Sequence, residues 1–499
     1  MKGSAYIMVV AGILFAKCLG FLRDIVFASC FGASEYTDIY FQVFGIASLI
    51  FTGIGGALST LVIKNLNKPE ISNEKSQKEY VAQFITKTSF IVILAIAVMY
   101  LLSDVLVELL LPGLGEHMHH VAKEIFCIML PSCLFVVVAY IMSGALQNSG
   151  VFFVTSVMSL PYNAIIIASL FVPSIDIFTV SIITTVGWFL HVAILLPSFI
   201  KKGFRLYQGK KVSFGKEKAN KEALYIFISA MMFQLVFVID KASVSSVSGA
   251  ASTINYASNL FVTIASVFVV AMSNVSYPSI CRHFEHGNTE MVRKILGHII
   301  IVLLAIFIPF ILTVTCFGKD IITLLYQRGE FTAKMSTETA LLFAIYTFGI
   351  FGYVCQELLN KILYLDSKYR YTVAGTILVV FLKPFVNFFI CKGSAYMVAA
   401  STTVMFFIYA ICILWAISKS IGNYFSKNLL INIAKIVFSA LVAYLSFVIT
   451  DDIALPFKDT SIGFLPRLLI CAFVYVASIL VTGCAKHIIT GQKNTLNQE

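Results

Sequence analysis

The stretch that decides the class of this protein runs from Lys17 to Phe41 and reads KCLGFLRDIVFASCFGASEYTDIYF. It places the charged side chains of Lys17, Arg23, Asp24 and Asp38 in or beside the first two apolar runs. A charged side chain in the hydrocarbon core of a bilayer costs at least about 3 kcal/mol on insertion scales. Such charges persist where they face one another or a polar cavity, so the stretch predicts a positively charged, water-filled pathway between membrane helices.

The composition of the whole chain agrees with a membrane protein. Of its 499 residues, 59% are hydrophobic and only 12% are charged, and the mean hydropathy is +0.91. A soluble protein of this length needs far more polar surface. The net charge of +11 comes from Lys and Arg in loops between apolar runs. That pattern is typical of membrane topology, so no nucleic-acid partner is expected.

About fourteen apolar runs are long enough to cross a bilayer, since a spanning helix needs roughly 20 apolar residues. They lie at about 5–31, 36–64, 81–103, 121–147, 152–173, 176–200, 222–247, 252–280, 294–317, 337–364, 371–391, 395–418, 430–450 and 463–484. The loop 201–221 carries eight Lys and Arg against one Glu, which predicts that it is cytoplasmic. Counting back six spans places the N-terminus inside, and an even number of spans places the C-terminus there too.

The chain repeats itself at a fixed offset. Residues 32–40 read GASEYTDIY, and residues 249–257, which begin 217 positions later, read GAASTINYA. Each follows an apolar run ending in charge, Arg23-Asp24 in one and Asp240-Lys241 in the other. The pattern predicts an all-α polytopic fold with two six-helix lobes in a parallel pseudo-twofold repeat. Chance similarity between apolar segments is the alternative. The expected divisions are an N-terminal lobe 1–200, a basic cytoplasmic linker 201–221, a C-terminal lobe 222–420, and two extra helices with a cytoplasmic tail 421–499.

The charges of span 1 suggest how an anion is bound. Lys17 and Asp24 are seven residues apart and share nearly one helical face, whereas Arg23 is about 100° away from Asp24. We therefore expect one face to be internally paired while Arg23 points into the cavity. A guanidinium suits a phosphate because its fork donates two parallel hydrogen bonds. The alternative is that the three charges satisfy one another and backbone carbonyls, as structure only.

Polar side chains in spans 7 and 11 are candidates for an ion site or a gate. Span 7 holds Asp240 and Lys241, and span 11 holds Lys383 and Asn387, one helical turn apart. Asp240 either holds a cation or pairs with Lys383. Lys241 is expected to extend its ammonium along the helix toward water.

Two further features have both a functional and a structural interpretation. In span 10, Glu357 and Lys361 are candidate gating residues, but their i, i+4 spacing also stabilises a helix by itself. In span 2, Gly53, Gly55 and Gly56 allow either a bend that suits a gate or a close approach of a neighbouring helix.

Metal and hydrolytic chemistry find no support in the sequence. The eleven cysteines are scattered without a C-x-x-C pair and are interpreted as apolar packing residues. His117, His119 and His120 cluster in an outer loop, where surface exposure is the simpler interpretation than a metal site. The chain has no P-loop, so its own ATP hydrolysis would not drive transport.

Two stretches resemble a known family. LGFLRDIVFASCFGASEYTDIYF resembles the first-helix signature of the MurJ/MviN lipid II flippases, in the multidrug/oligosaccharidyl-lipid/polysaccharide exporter superfamily. Residues 324–366 resemble the region around that family's tenth helix, and a 6+6+2 layout of spans is also the family's. The resemblance implies a non-enzymatic, monomeric, multi-pass protein of the bacterial inner membrane. It would flip undecaprenyl-pyrophosphate-linked peptidoglycan precursor, lipid II, to the outer leaflet by alternating access.

The resemblance also suggests substrate-binding residues. Arg23 matches the family's essential arginine in its LGF-x-RD motif, where Asp24 follows it, and Asp38 matches the acidic residue at the start of span 2. Lys17 lies where the family usually has arginine. The arginines that the family carries in spans 2 and 8 fall at about Ile50 and Asn259 here. The cavity is thus expected to hold fewer cations than usual, which leaves another polyprenyl-linked polysaccharide precursor as an alternative substrate.

The resemblance leaves the energy source open. Some members bind sodium through acidic and amide residues of spans 7 and 11, which Asp240 and Asn387 fit. Lys383 stands where a further ligand is expected, so a fixed ammonium is the alternative to sodium, with coupling to the membrane potential. No other cofactor is expected. Outside transport, a polytopic glycan polymerase would need an acid in a large outer loop, and a non-transporting scaffold would tolerate charge substitutions in spans 1 and 2.

Overall fold

The computed structural model describes residues 3–49, 55–67, 71, 73–207, 221–366, 368–424, 426–450 and 463–485. These residues form helices, turns and short connections, with no β-strand among them. In its described residues, each apolar run of the sequence falls on one helix or a pair of helices. The all-α fold class is therefore confirmed. Ile50, Gly53, most of the basic linker, the segment 451–462 and the tail from 486 lie outside the described residues.

The helices follow one another with short connections. In chain order they are α1 (Gly3–Phe31), α2 (Glu35–Leu49), α3 (Gly56–Leu66), α4 (Glu74–Leu101), α5 (Ser103–Leu110), α6 (Glu116–Met129), α7 (Ser132–Asn148), α8 (Phe153–Ser156), α9 (Leu160–Ser169), α10 (Ile177–Lys201), α11 (Lys221–Ala242), α12 (Ala250–Glu285), α13 (Thr289–Tyr326), α14 (Ala333–Phe348), α15 (Ile350–Leu365), α16 (Tyr369–Val386), α17 (Ala395–Ile421), α18 (Lys427–Ile449) and α19 (Leu465–Val481). A π-helical turn, Asn387–Cys391, follows α16 directly.

Several helix starts are explained by their capping residues. The side chain of Asp176 accepts a hydrogen bond from the backbone N–H of Thr179 at the start of α10. The Ser426 side chain does the same for Leu429 at the start of α18. Such caps satisfy backbone donors that the first turn of a helix leaves without a partner.

Within the part of the chain that is described, eight helices are long and apolar enough to cross a membrane. The number becomes nine if α14 and α15, which are bent by 46° relative to each other, are counted as one span. The number of about fourteen stays a prediction with which this is compatible. Only 6% of the most apolar window of α4 is buried, and Phe90, Ile91 and Leu94 are exposed. An apolar exposed helix face of this kind is suited to contact lipid.

The chain divides into two compact units. One comprises 1–255, 328–331 and 384–395, and the other comprises 256–327, 332–383 and 396–499. By its contacts, α11 thus groups with the N-terminal helices. The lobes and boundaries expected from the sequence stay a prediction.

In the first unit, α7 is central and packs against α3, α4 and α10. A Cβ added at Gly144 of α7 would lie 2.7 Å from the carbonyl oxygen of Ser59, and one added at Gly55 would lie 2.5 Å from the Tyr140 ring. Apolar burial drives helices together weakly in lipid, so close approach at small residues matters more. For Gly55 this favours the packing interpretation over the bend.

In the second unit, α13 packs along α14 and α18, and α18 packs along α19. The ring of Phe261 on α12 stacks on that of Phe406 at 6.1 Å and meets Tyr353 edge-on at 5.4 Å. A Cβ at Gly352 would lie 2.5 Å from the Phe406 carbonyl oxygen, so α15 and α17 are in near backbone contact there. α15 and α17 are therefore held at a fixed spacing.

Candidate functional site

The guanidinium of Arg23 on α1 is held from two sides. Its Nε and Nη2 atoms donate to Oδ1 of Asp24 at 3.0 and 2.7 Å. Its Nη1 donates to the Tyr162 hydroxyl at 3.1 Å and to Oδ1 of Asn163 at 3.2 Å. The side chains of Arg23 and Asp24 are only 14% and 8% exposed. Hydrogen bonds to charged groups contribute about 1.5–3 kcal/mol each, so this arrangement is firm.

This pairing differs from the expectation for span 1. Helical periodicity places Arg23 and Asp24 on different faces, whereas the two side chains form an ion pair. Adjacent residues point about 100° apart on a helix, but the arginine side chain is long enough to fold back. Lys17 lies six residues before Arg23, about 9 Å along the helix axis, with its side chain half-buried. Its role as a headgroup ligand stays a prediction.

Aromatic rings surround the guanidinium of Arg23. Its Cζ lies 5.4 Å from the ring centroids of both Phe44 and Tyr162, within the range of a cation–π contact. The Tyr162 ring in turn packs at 4.7 Å on the ring of Trp188. A cation among rings and largely shielded from bulk water interacts more strongly with any anion that reaches it.

Tyr162 and Asn163 are site residues that sequence reasoning missed. Both lie on α9, which begins beside Pro161. The only signal was an asparagine inside the apolar run LPYNAIII. An amide in such a run requires a hydrogen-bond partner in lipid, but nothing local to the sequence identifies Arg23 as that partner.

Asp38, in the first turn of α2, caps the start of α12. Its Oδ2 accepts a hydrogen bond from the backbone N–H of Gly249 at 2.7 Å. Its Oδ1 accepts from the N–H of Ser252 at 2.6 Å and from the Ser252 hydroxyl at 2.5 Å. The Ser252 hydroxyl also donates to Oγ1 of Thr37 at 2.8 Å. We call Thr37, Asp38, Gly249 and Ser252 the α2–α12 junction.

The α2–α12 junction joins the two sequence repeats to each other. Gly249 has a φ of +78°, and a Cβ there would lie 2.8 Å from the carbonyl oxygen of Ala33. Both the left-handed backbone and the close approach therefore require glycine. A carboxylate at a helix N-terminus is also favoured by the helix dipole. In this conformation the oxygens of Asp38 serve the cap, and its expected contact with substrate stays a prediction.

A second contact fixes the end of α1. The N–H of Glu330 donates to the carbonyl oxygen of Ser29 at 2.9 Å. A Cβ at Gly32 would lie 2.6 Å from the Glu330 carbonyl oxygen. The segment 328–331 therefore lies directly against the chain between α1 and α2.

The end of α11 carries two buried charges. Asp240 accepts a hydrogen bond from Nδ2 of Asn387 at 3.3 Å, and the same nitrogen donates to the Ser243 hydroxyl at 2.9 Å. Lys241 is buried, and its Nζ donates to the carbonyl oxygen of Phe41 at 2.8 Å. The structure thus brings Asp240 and Asn387 together, whereas the expectation that Lys241 extends toward water is wrong.

Lys383 and Asn387 are held by different elements. In the second unit, Nζ of Lys383 donates to the carbonyl oxygen of Val398 at 3.0 Å and to the Ser401 hydroxyl at 2.5 Å. The lysine is fully buried. Pro384 follows it, and the helix changes to a π turn at Asn387.

The remaining candidates lie in the second unit. Nζ of Lys361 on α15 lies 5.7 Å from the ring centroid of Tyr277 on α12. Both residues line a small, mostly apolar cleft together with Ser276. Glu357 is half-buried on the same helix, and Asn259 is half-buried on α12. Their expected roles stay predictions.

The histidine cluster takes part in ordinary side-chain pairs. Nε2 of His119 lies 3.9 Å from Glu108, and Nδ1 of His120 lies 3.4 Å from Glu124. Among the residues that the structure describes, no group of three or more His, Cys, Asp or Glu is arranged to hold a metal ion.

Comparisons with known proteins agree on one family. The sequence model described as "Lipid II flippase MurJ" matches residues 27–458. The chain is 26% identical over 399 residues to a probable lipid II flippase of Buchnera aphidicola subsp. Schizaphis graminum, covering 76% of this chain and 75% of that one. It is 22% identical over 392 residues to the lipid II flippase of Burkholderia cenocepacia, covering 74% of each.

Solved structures show the same fold. A structure titled "Lipid II flippase MurJ, inward closed conformation" matches with a TM-score of 0.78 at 20% identity, over 95% of this chain and 98% of that one. An inward-facing multidrug resistance MATE transporter matches with a TM-score of 0.61 at 11% identity, over 83% of this chain and 98% of that one. At these identities the likeness concerns the fold alone.

Proposed function

The chain belongs to the lipid II flippase MurJ family, and we propose that it moves lipid II from the inner to the outer leaflet of the bacterial inner membrane by alternating access. It is a multi-pass membrane protein, and its activity is transport without chemical change of the substrate. The observation that carries the proposal is the aromatic-walled Arg23 cluster, just before the segment 27–458 that matches the family model and that supplies its partners Phe44, Tyr162 and Asn163.

The diphosphate of lipid II is the ligand that the Arg23 cluster fits best. Asp24 occupies two donors of the guanidinium, as a phosphate would. We expect the diphosphate to displace Asp24 while Tyr162 and Asn163 keep the guanidinium in place. Lys17 adds a second cation about two turns away. The uncharged Asn259 leaves these two with a larger share of the headgroup's charge.

The α2–α12 junction is the proposed gate. The Lys and Arg distribution predicts that it lies at the outer face, with both termini in the cytoplasm. Three hydrogen bonds to a carboxylate amount to roughly 5–9 kcal/mol before the hydration regained on opening is subtracted. Reversing a 1:99 equilibrium to 99:1 takes about 5.5 kcal/mol. A substrate that binds the open state more tightly than the closed state by this free energy would therefore open the gate.

We propose that Lys383 takes the place of a coupling sodium ion. Its ammonium binds a backbone carbonyl and a hydroxyl, which are also oxygen ligands for an alkali cation. Flipping is then driven by the membrane potential and continues without sodium. The protein acts as a monomer with no organic cofactor.

Complementation tests the proposal. The chain is expressed in a strain depleted of its own lipid II flippase, and outer-leaflet lipid II is scored together with growth. The wild type should restore both, and Arg23→Ala should restore neither while inserting normally in the membrane. Arg205→Ala, on an exposed arginine just after α10, is the matched control and should behave as the wild type. Rescue by Arg23→Ala, or failure of the inserted wild type, contradicts the proposal.

A further inference from the structure

The end of α11 directs two adjacent charges to different elements. Asp240 is fully buried and Lys241 is 5% exposed. Asp240 contacts Asn387 in the segment 384–395. Lys241 instead donates to the carbonyl oxygen of Phe41 on α2. Two charged side chains buried next to each other are costly unless each has a defined partner. Asn387 is the partner of Asp240, and Lys241 needs partners of its own.

The Lys241 ammonium bonds to two helices at once. Nζ donates to the carbonyl oxygen of Phe41 on α2 at 2.8 Å and lies 3.4 Å from Oδ1 of Asn255 on α12. These are the two helices that the α2–α12 junction connects. One side chain of α11 thus bridges the elements that must separate when the junction opens.

Gly45 provides the space in which this ammonium lies. It follows Phe41 by one helical turn, so both face α11 on the same side of α2. A Cβ added at Gly45 would lie 2.9 Å from Nζ of Lys241 and 3.7 Å from its Cε. A methyl group at this position would therefore press on the ammonium, and we expect it to move Nζ away from the Phe41 carbonyl.

The partner of Lys241 on α12, Asn255, is related to Asp38 by the sequence repeat. Asn255 occupies the position that corresponds to Asp38 at the offset of 217 residues. Asp38 caps α12, whereas Asn255 offers Lys241 an uncharged oxygen. An amide oxygen binds an ammonium less strongly than a carboxylate does. The contact of Lys241 with α12 is therefore weaker than a contact with a carboxylate at that position would be.

We infer that Lys241, seated against Gly45, is a positioning residue that sets how long the α2–α12 junction stays closed. It does not touch substrate. It acts through Phe41 and Asn255, and it releases α12 only when water reaches the ammonium, because a buried cation without partners is strongly disfavoured. The inference rests on the proposed alternating access.

Hydrogen exchange of the full-length protein in lipid nanodiscs, without substrate, tests this role. The measured segment is 249–256, whose first amides bond to Asp38. Lys241→Ala and Gly45→Ala should each accelerate its exchange about tenfold or more, the factor for one lost hydrogen bond to a charged group. Asn255→Asp should slow exchange, because a carboxylate strengthens the bridge. A purely structural role does not predict opposite signs.

The controls separate this role from general damage. Gly56→Ala adds a methyl group with no atom within 4 Å and should leave exchange at 249–256 unchanged. Gly45→Ala should add nothing once Lys241→Ala is present, because the clash needs the ammonium. Unchanged exchange in Lys241→Ala, or additive effects in the double variant, overturns the inference. Lipid II flipping is measured separately, so a wild type that does not flip lipid II refutes the proposed function whatever the exchange shows.

Discussion

Two sites that correspond in the repeat use their charges in opposite ways. Arg23-Asp24 on α1 and Asp240-Lys241 on α11 occupy matching positions, with the order of the charges reversed. On α1 the two charged side chains form an ion pair with each other at 2.7 Å. On α11 they diverge, one to Asn387 and the other to Phe41.

The difference follows from side-chain chemistry and surroundings. The Arg23 fork has enough donors to bind Asp24, Tyr162 and Asn163 together, so a substrate can replace one partner without losing the others. Lys241 has a single nitrogen in a glycine-lined space and serves as a bridge. The comparison teaches that the first site is suited to binding and the second to holding a conformation. Changes at the first should therefore alter substrate binding, and changes at the second should alter junction exchange.

The largest effect is expected from Arg23→Lys. The charge remains, but one nitrogen cannot bind Asp24, Tyr162, Asn163 and a diphosphate in the fork geometry. Loss of two charge-assisted bonds, about 3–6 kcal/mol, predicts at least a 100-fold fall in lipid II flipping in proteoliposomes. Exchange at 249–256 should not change. A flipping rate near that of the wild type would break the assignment of binding to the α1 site.

Asp38→Asn should give an effect of intermediate size, and the affected quantity should be the opening of the α2–α12 junction. The amide retains one acceptor oxygen but loses the charge at the start of α12. This should shift the α2–α12 junction toward opening by about 1–3 kcal/mol. Faster exchange at 249–256 in the absence of lipid II is the expected result, and unchanged exchange would contradict the assignment of the cap to the gate. Asp176→Asn, at the cap of α10, is the matched control and should leave that segment protected.

The smallest effect is expected from Tyr162→Phe, which tests a single contact of Arg23 within the α1 site. The ring stays over the guanidinium, and only the hydroxyl that accepts from Nη1 is lost. One such bond contributes about 1–2 kcal/mol, so lipid II affinity should fall roughly five- to thirtyfold. Equal affinities of the variant and the wild type would show that Tyr162 does not position Arg23.

Much of the fold was predictable from the sequence because it depends on local properties. The apolar runs gave the helices, since a segment in lipid must satisfy its own backbone hydrogen bonds. The motif around Arg23 led to the family, which the match over 27–458 confirms. The approach of Asp240 and Asn387 was also expected from the family's pattern.

The contacts within the sites were harder to predict from the sequence. Helical periodicity placed Arg23 about 100° away from Asp24, but it ignores how far an arginine side chain can fold back. Lys241 was expected to reach water because nothing local indicates a glycine-lined space on another helix. The cap that Asp38 forms joins residues more than 200 positions apart. No local pattern encodes such a pair.

The sequence by itself determined the membrane class, the helices, the family and the residue types available at each site. Only the tertiary structure decided which charges pair, which are buried, and which helix each of them holds. The physical reason is the distance along the chain over which each interaction acts. Hydrophobicity and helical hydrogen bonding act within a few residues, whereas the partner of a buried charge is chosen by the packing of distant helices around it.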